Sequence, residues 1–176
     1  MRNLPLSIPP PLHVLTPTNS LLCPGEHIPP LRHLGSRNTA FAAVSRAPYA
    51  KISAWKSKFA WSFPWYSSAP SSFNYDFHAT LDASVQPVEY NFATAAELEA
   101  KGQKWNTAGE QPGVSVFLKG EDGKVYHTYS AYARGVEKLL GTFMLLDMTV
   151  LGRQVGPAGP AEFKLAYEYE EEEDKA

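Results

Sequence analysis

The sequence predicts an α/β protein, because a short apolar strand and an amphipathic segment precede a clear β-hairpin. The run TAFAAVS (39–45) is continuously apolar, as in a strand buried on both faces of a parallel sheet. Residues 113–119 and 124–130 are rich in β-branched and aromatic residues, and GEDG (120–123) between them is typical of a hairpin turn. The 176 residues have the size of one ordinary domain.

Two helices are predicted between these strands. Pro48 suits the first turn of a helix, and Ile52, Trp55 and Phe59 then follow at helical spacing, so this helix packs an apolar face on the sheet. Further along, Thr94 and Glu97 have the spacing of a capping box, which predicts a short helix over about residues 95–101.

Residues 131–147 predict a final helix with an apolar side, although Gly135 and Gly141 weaken it locally. The predicted order is strand, helix, extended loop, short helix, hairpin, helix. A parallel strand followed by an antiparallel hairpin and a C-terminal helix is the second half of a thioredoxin-like fold.

The two ends of the chain differ in composition from the middle. Eight of the 15 prolines lie in residues 1–30, which predicts a mostly disordered segment. Six of the 18 acidic residues lie in residues 168–174, which predicts a solvated acidic tail over 156–176. The folded domain is therefore expected over residues 31–155.

Charge and cysteine content exclude several classes of protein. With 16 basic and 18 acidic residues the net charge is −2, which argues against a nucleic-acid partner. No run approaches 18 apolar residues, so no membrane partner is expected, and the absence of an export signal favours the cytoplasm. A single cysteine excludes an internal disulfide, a cysteine zinc site and a dithiol centre within the chain. We expect no metal and no cofactor.

Four segments in one order resemble an uncharacterised thioredoxin-like family, domain of unknown function 899. They are VSRAPYAKISAWKSKFAWSFPWYSS, FNYDFH, PGVSVFLKGEDGKVYHTYSAYARG and LLDMTVLGRQ. The resemblance covers about residues 28–154, and stretches such as IPPLRHL and VEYNF are most similar to its fungal members. Members are often described as predicted dithiol-disulfide oxidoreductases.

The resemblance implies a thioredoxin-like sheet with flanking helices and a Cys-Pro-x-Cys motif that opens the first helix. Cys23-Pro24-Gly25 matches the first three positions, but Glu26 stands where the second cysteine belongs. The region before Leu21 does not resemble the family's first strand. We therefore expect a fold that lacks the first strand-helix unit. An aberrant or truncated N-terminus, or a degenerate paralogue, would explain this loss.

Cys23 is the candidate catalytic residue, because it is the only thiol. It would be a monothiol site that forms mixed disulfides with glutathione or protein thiols, and Glu26 would oppose thiolate formation if it lies close. The alternative, which we favour, is an inert thiol in a proline-rich segment.

Three further polar residues are close together in NYDFHATLD. Asp76, His78 and Asp82 would form part of a metal site or an acid/base cluster. The alternative is a polar strand end with Asp82 capping a turn. His127, on the second hairpin strand, is predicted to share a face with Val125 and Tyr129, as a catalytic histidine or as a hydrogen-bonded sheet residue.

Other features leave a functional and a structural interpretation open. Nine of the 22 aromatic residues lie within 55–77. They would form either an apolar site for a ligand or partner peptide, or part of the core. Pro112 precedes the first hairpin strand, where thioredoxin-like folds often have a cis-proline facing the active cysteine. Arg134 and Arg153 lie in family motifs. Each would either bind an anion or pair with a carboxylate of the chain, and we prefer the second, structural role.

Three hypotheses about function follow. By resemblance, the protein is a thiol-disulfide oxidoreductase of monothiol type, impaired because the second cysteine is absent. The alternatives are a non-catalytic thioredoxin-like binding module that uses the aromatic cluster, and a truncated product without activity.

Overall fold

The computed structural model describes residues 12–16, 23–156, 162–166, 168 and 169, with backbone alone for 12–16, Cys23 and Pro24. Its first elements are the strands β1 (Leu12–Thr16), β2 (Ala40–Ser45) and β3 (Trp65–Ser67) and the helices α1 (Cys23–Glu26), α2 (Leu31–Gly35) and α3 (Tyr49–Lys58). Then come α4 (Phe73–Asp76), β4 (Thr80–Leu81), β5 (Glu89–Tyr90), β6 (Ala93–Thr94), α5 (Ala95–Ala100) and β7 (Gly109–Glu110). The fold ends with β8 (Gly113–Lys119), β9 (Val125–Tyr132) and α6 (Gly141–Leu146), and 3₁₀ helices span Lys104–Asn106 and Ala133–Leu139.

A five-stranded mixed sheet organises the fold, with the strand order β3-β2-β1-β8-β9. The first three strands are parallel, and β8 pairs antiparallel with both β1 and β9. This is the thioredoxin-like α/β arrangement that the sequence predicts, with the strand and the hairpin where they are expected. The apolar composition of β2 is explained by its interior position, since strands covered on both faces need no polar side.

The central strand β1 corrects the expectation that the first strand-helix unit is absent. Leu12–Thr16 pairs with β2 over Leu12↔Ala40 to Leu15↔Ala43 and with β8 over Leu12↔Phe117 to Thr16↔Gly113. Prolines flank LHVLT but do not interrupt it, so each of its residues can donate to a ladder. The helical part of the unit is reduced to α1 and α2, and both β1 and α1 lie in the range 1–30 for which disorder was predicted.

One face of the sheet is covered by helices. The buried residues Phe41 and Ala43 of β2, Ile52 of α3 and Val136 of the second 3₁₀ helix share one core cluster. Partly buried residues of α2 and the aromatic segment after α3 pack against it. The predicted amphipathic helix is thus confirmed, and it lies against the sheet as expected.

The opposite face is covered by the segment between β3 and β8. Val116 of β8 and Phe41 of β2 both pair with His13, so Val116 lies on the helical face. Gly113 is three positions before Val116 and therefore lies on the opposite face, because successive residues of a strand alternate between faces. Tyr132 pairs with Gly113 and so faces this opposite side. Around Tyr132 lie Leu81, Tyr90, Ala93 and Leu98, all buried. The capping box that precedes α5 is confirmed, with Thr94 and Glu97 bonded in both directions.

The continuous helix predicted over residues 131–147 is wrong. The chain remains in β9 through Tyr132, turns through a 3₁₀ helix, becomes extended at Leu140 and restarts as α6 at Gly141. Glycine disfavours the helix interior at positions 135 and 141, and Val136 and Phe143 are buried on either side of the break.

Part of the predicted acidic tail packs on the domain. Leu165 is buried, the ring of Phe163 lies 5.3 Å from that of Phe143, and the backbone N–H of Ala166 donates to Glu26 at 3.1 Å. The disorder predicted for 156–176 is therefore corrected at these residues, whereas the acidic run 170–174 lies outside the described residues. Within the described parts of the chain, none of the helices is both long and apolar enough to cross a membrane.

Candidate functional site

The only cysteine follows the central strand of the sheet. Cys23 is the first residue of α1, and β1, which ends at Thr16, is parallel to its neighbour β2. In open α/β sheets, ligands and reactive groups gather beyond the carboxyl ends of parallel strands. Thr16 also pairs with Gly113, which directly follows Pro112, so the Pro112 loop lies at this same edge of the sheet.

The residues after Cys23 are held by three separate parts of the chain. An added Cβ at Gly25 would lie 2.7 Å from the Trp61 ring, so only glycine fits there without displacement. The Glu26 carboxylate accepts the hydrogen bond from Ala166, and the His27 imidazole lies 3.2 Å from the Thr142 hydroxyl. The Cys-Pro-Gly-Glu turn is therefore a packed feature of the fold.

Pro112 is anchored by a buried tyrosine. The Tyr90 hydroxyl donates to the Pro112 carbonyl at 2.8 Å and accepts from the backbone N–H of Ala133, also at 2.8 Å. Burial raises the pKa of Tyr90 well above its usual value, which keeps the hydroxyl a donor. No described peptide bond is cis, so the cis form considered for Pro112 is not adopted.

A polar network, which sequence reasoning missed, lies just beyond the ends of β2 and β3. Arg46 donates to the Tyr75 hydroxyl at 2.7 Å and lies 3.7 Å from the Glu110 carboxylate. Glu110 also accepts from Asn74 and from Thr80, and these bonds join the sheet edge to the segment that covers its second face. The signal was available, because Arg46 directly follows the apolar run of β2.

The candidate cluster of Asp76, His78 and Asp82 does not form a metal site among the described residues. Among the described residues no group of three or more potential ligands could hold a metal ion. Asp82 accepts from the Ser84 hydroxyl and N–H, which hold its pKa below the usual value, so it caps a turn as the structural alternative predicted. Asp76 accepts from Ser72, while His78 lies in the wall of a cavity.

A β-bulge corrects the predicted orientation of His127. Phe117 pairs with His127 and Val116 with Tyr129, so Thr128 is an extra residue and the alternation shifts after it. His127 therefore shares a face with Ser130 and Tyr132, not with Tyr129.

The bonds of the His127 ring agree with this shift. Its Nε2 lies 2.8 Å from the Ser130 hydroxyl and 3.0 Å from the Tyr129 carbonyl. Because a carbonyl only accepts, this nitrogen is assigned the proton, which leaves the lone pair on Nδ1.

The cavity brings together residues that lie far apart in the sequence. It has a volume of about 250 Å³ and is lined by His78, His127, Ser130 and Tyr132 and by the segment that contains Glu89 and Phe92. His78 and His127, 49 positions apart in the sequence, thus line one cavity on the sheet face away from the main helices. The Nδ1 atom of His78 is buried and has no hydrogen-bond partner among the described residues.

The remaining candidates have structural roles. Of the nine aromatic residues in 55–77 only Tyr66 is exposed, so the cluster is mainly packing. Arg153 forms ion pairs with Glu137 and Asp147, both at 2.6 Å, and stacks over Phe143. Arg134 is exposed and pairs with Glu137 at 3.3 Å. Both arginines therefore bind carboxylates, as the preferred interpretation predicted.

Comparison with known proteins identifies the family. The crystal structure of a cysteine-to-serine mutant of PrxQ from Xylella fastidiosa is similar with a TM-score of 0.45 and 14% identity, covering 78% of each chain. A search of curated proteins finds no match. Residues 15–169 match the family described as "Bacterial protein of unknown function (DUF899)". Since this match spans most of the chain, the protein belongs to the DUF899 family.

Proposed function

We propose that the protein carries out thiol-disulfide exchange with a single thiol, Cys23. The observation that carries this proposal is the place of Cys23, at the start of α1 and after the central parallel strand of a thioredoxin-like sheet. Reactive groups of α/β sheets concentrate at this edge. The Pro112 loop, fixed by Tyr90, lies at the same edge of the sheet as the end of β1.

The chemistry requires an external thiol, because the chain has no second cysteine. The Cys23 thiolate attacks one sulfur of a substrate disulfide, the substrate S–S bond breaks, and the departing thiolate takes up a proton. A thiol such as glutathione then attacks the substrate-derived sulfur of the mixed disulfide and releases the Cys23 thiolate. These two steps release one substrate thiol and a mixed disulfide of the substrate with glutathione. A second glutathione then attacks the glutathione sulfur of that mixed disulfide and releases the second substrate thiol, so that in the net reaction one substrate disulfide is reduced and two external thiols are oxidised to a disulfide.

Glu26 occupies the position from which a second cysteine would attack. Its carboxylate accepts a hydrogen bond from the Ala166 backbone N–H. A carboxylate cannot attack the mixed disulfide as a thiol would, so Glu26 cannot resolve the intermediate. We therefore expect a long-lived mixed disulfide on Cys23, which disappears only when external thiol is added. Turnover is therefore limited by the resolution of the mixed disulfide, for which a second cysteine is absent, and not by the first attack of Cys23.

Glutathione disulfide and mass spectrometry test this proposal. The wild-type protein should acquire one glutathione, Cys23→Ser none, and the adduct should persist until reduced glutathione is added. Glu26→Cys restores a Cys-Pro-Gly-Cys motif and should release the glutathione without added thiol, whereas the matched Glu26→Ser variant should retain it. If folded wild-type protein forms no adduct, the proposal is wrong.

A second candidate is ligand binding without thiol chemistry. The observation that favours it is the cavity lined by His78 and His127, which lies on the sheet face opposite the cluster that Trp61 and Gly25 adjoin. A protein of this kind would bind its ligand equally well after Cys23→Ser, and its wild type would form no glutathione adduct, so formation of the adduct separates the two candidates.

A further inference from the structure

We propose that the cavity between β9 and the β5–β6 turn binds a small aromatic ammonium ion. We call it the His78 cavity, defined by His78, Glu89, Phe92, His127 and Tyr132. The site goes beyond thiol exchange, because it does not include Cys23. Its volume of about 250 Å³ fits a ligand at or below the lower end of ordinary small-molecule pockets.

The charge of the lining favours a cation. The acidic residues Asp76 and Glu89 both line the cavity, and the described residues that line it include no lysine or arginine. Glu89 forms no ion pair with a described residue, so its charge is available to a ligand. A carboxylate or phosphate ligand would meet two like charges here, whereas an ammonium group would meet two opposite ones.

The walls of the cavity favour an aromatic body. Phe92 contacts Tyr132 edge to face at 5.8 Å, and Tyr132 contacts Tyr90 at 5.5 Å, so several rings meet in one wall. Phe92 is 78% exposed, which is unusual for a phenylalanine that a core could have buried. Rings of this kind attract both aromatic groups and cations.

The polar atoms at the other end of the cavity are held in place. The rings of Phe77 and Phe117 lie 5.3 and 5.2 Å from the His127 ring, and Ser130 holds Nε2, so the imidazole has one orientation. The rings of His78 and His127 both line the cavity, so they report on a ligand that enters it.

Backbone strain concentrates at the same place. His78, Asn91 and Phe92 have φ values of 49°, 51° and 60°, in the left-handed region that costs most for a bulky residue such as phenylalanine. Asn91 and Phe92 are the two central residues of the β5–β6 hairpin, and the favoured two-residue hairpin turn has positive φ at both positions. This turn holds Phe92 in the wall of the cavity.

The direct test is titration of the full chain with 2-phenylethylammonium, 2-phenylethanol and 3-phenylpropionate, followed by NMR of the histidine imidazoles. The expected result is saturable binding of the ammonium ion that shifts the signals of His78 and His127 but not of His33. The neutral alcohol should bind more weakly and the carboxylate most weakly. Equal affinity for all three probes, no saturable binding, or shifts elsewhere would each overturn the proposal.

Two variants test the assigned groups. Glu89→Gln should weaken ammonium binding about three- to fivefold, as expected for loss of one exposed ion pair, whereas the matched Glu99→Gln on α5 should leave it unchanged. Phe92→Gly should weaken binding without lowering the unfolding midpoint, because glycine relieves the strain. Equal effects of the two glutamate variants would contradict the proposal, and unchanged binding in Cys23→Ser is expected whether or not the thiol reacts.

Discussion

The Trp61 ring fills the space that a side chain at Gly25 would need. The gap of 2.7 Å between an added Cβ and the indole is below the contact distance of real side chains. Because Gly25 lies two residues after Cys23, this contact fixes the turn that carries the only thiol. The aromatic segment after α3 thus supports the candidate site by packing, rather than by offering a free surface.

Gly25→Ala tests this contact. The added methyl group must displace a ring that stacks on both Phe59 and Phe63, so we expect a loss of stability of about 1–3 kcal/mol. Urea unfolding measures it, with Gly35→Ala as the control, because an added Cβ at Gly35 meets nothing within 4 Å. Equal stability of the two variants would mean that Trp61 does not restrict the turn.

Tyr90→Phe tests the anchor of the Pro112 loop. The substitution leaves the Pro112 carbonyl and the Ala133 N–H without their shared partner in a buried place, at a cost of about 1–3 kcal/mol. Tyr129→Phe is the matched control, because Tyr129 is exposed and should change by less than about 0.5 kcal/mol. Denaturant unfolding decides, and a Tyr90→Phe variant as stable as the control would refute the anchoring role.

Asp147→Asn tests the ion pair with Arg153 through its pH dependence. The hydrogen bonds from Arg153 hold the pKa of Asp147 below its usual 3.8 in the folded protein. A lowered pKa means that the carboxylate stabilises the fold above about pH 4 and that this contribution is lost as the pH falls through the folded value. The variant should therefore melt below the wild type at pH 6.

The two melting curves should converge as the pH falls below 3.8 and the wild-type carboxyl group takes up its proton. Glu99→Gln is the control, because Glu99 lies exposed on α5, and it should follow the wild type across the range. A difference between Asp147→Asn and wild type that does not change with pH would show that the ion pair adds nothing.

Local sequence patterns were sufficient for much of the fold. The strand at residues 39–45, the helix α3, the capping box at Thr94 and the hairpin each follow from short-range periodicity, and the structure contains all four. The break at Leu140 was not predictable in the same way, because Val136 and Phe143 also fit one continuous helix and only packing decides between the two. The pairing of β1 depends on strands far away in the chain, which no local pattern encodes.

The candidate site was less predictable, because its residues come from distant segments. His78 and His127 are each candidates from the sequence, but they line one cavity only because of a bulge at Thr128. One extra residue in a strand moves the side chains beyond it to the other face of the sheet. The residues next to Phe92 in the sequence do not indicate that its backbone adopts a left-handed conformation. Cys23 was named for its chemistry, and its place after β1 became evident only from the register of the sheet.

The most direct test of single-thiol chemistry is the rate at which Cys23 reacts with an aromatic disulfide at pH 7, in the native protein and in urea. We expect the folded protein to react faster than the chain in urea, because folding places Cys23 beyond the end of a central parallel strand, where reactive groups gather. Cys23→Ser should not react. A folded protein that reacts as slowly as the unfolded chain, or more slowly, would contradict the assignment of Cys23 as the working group.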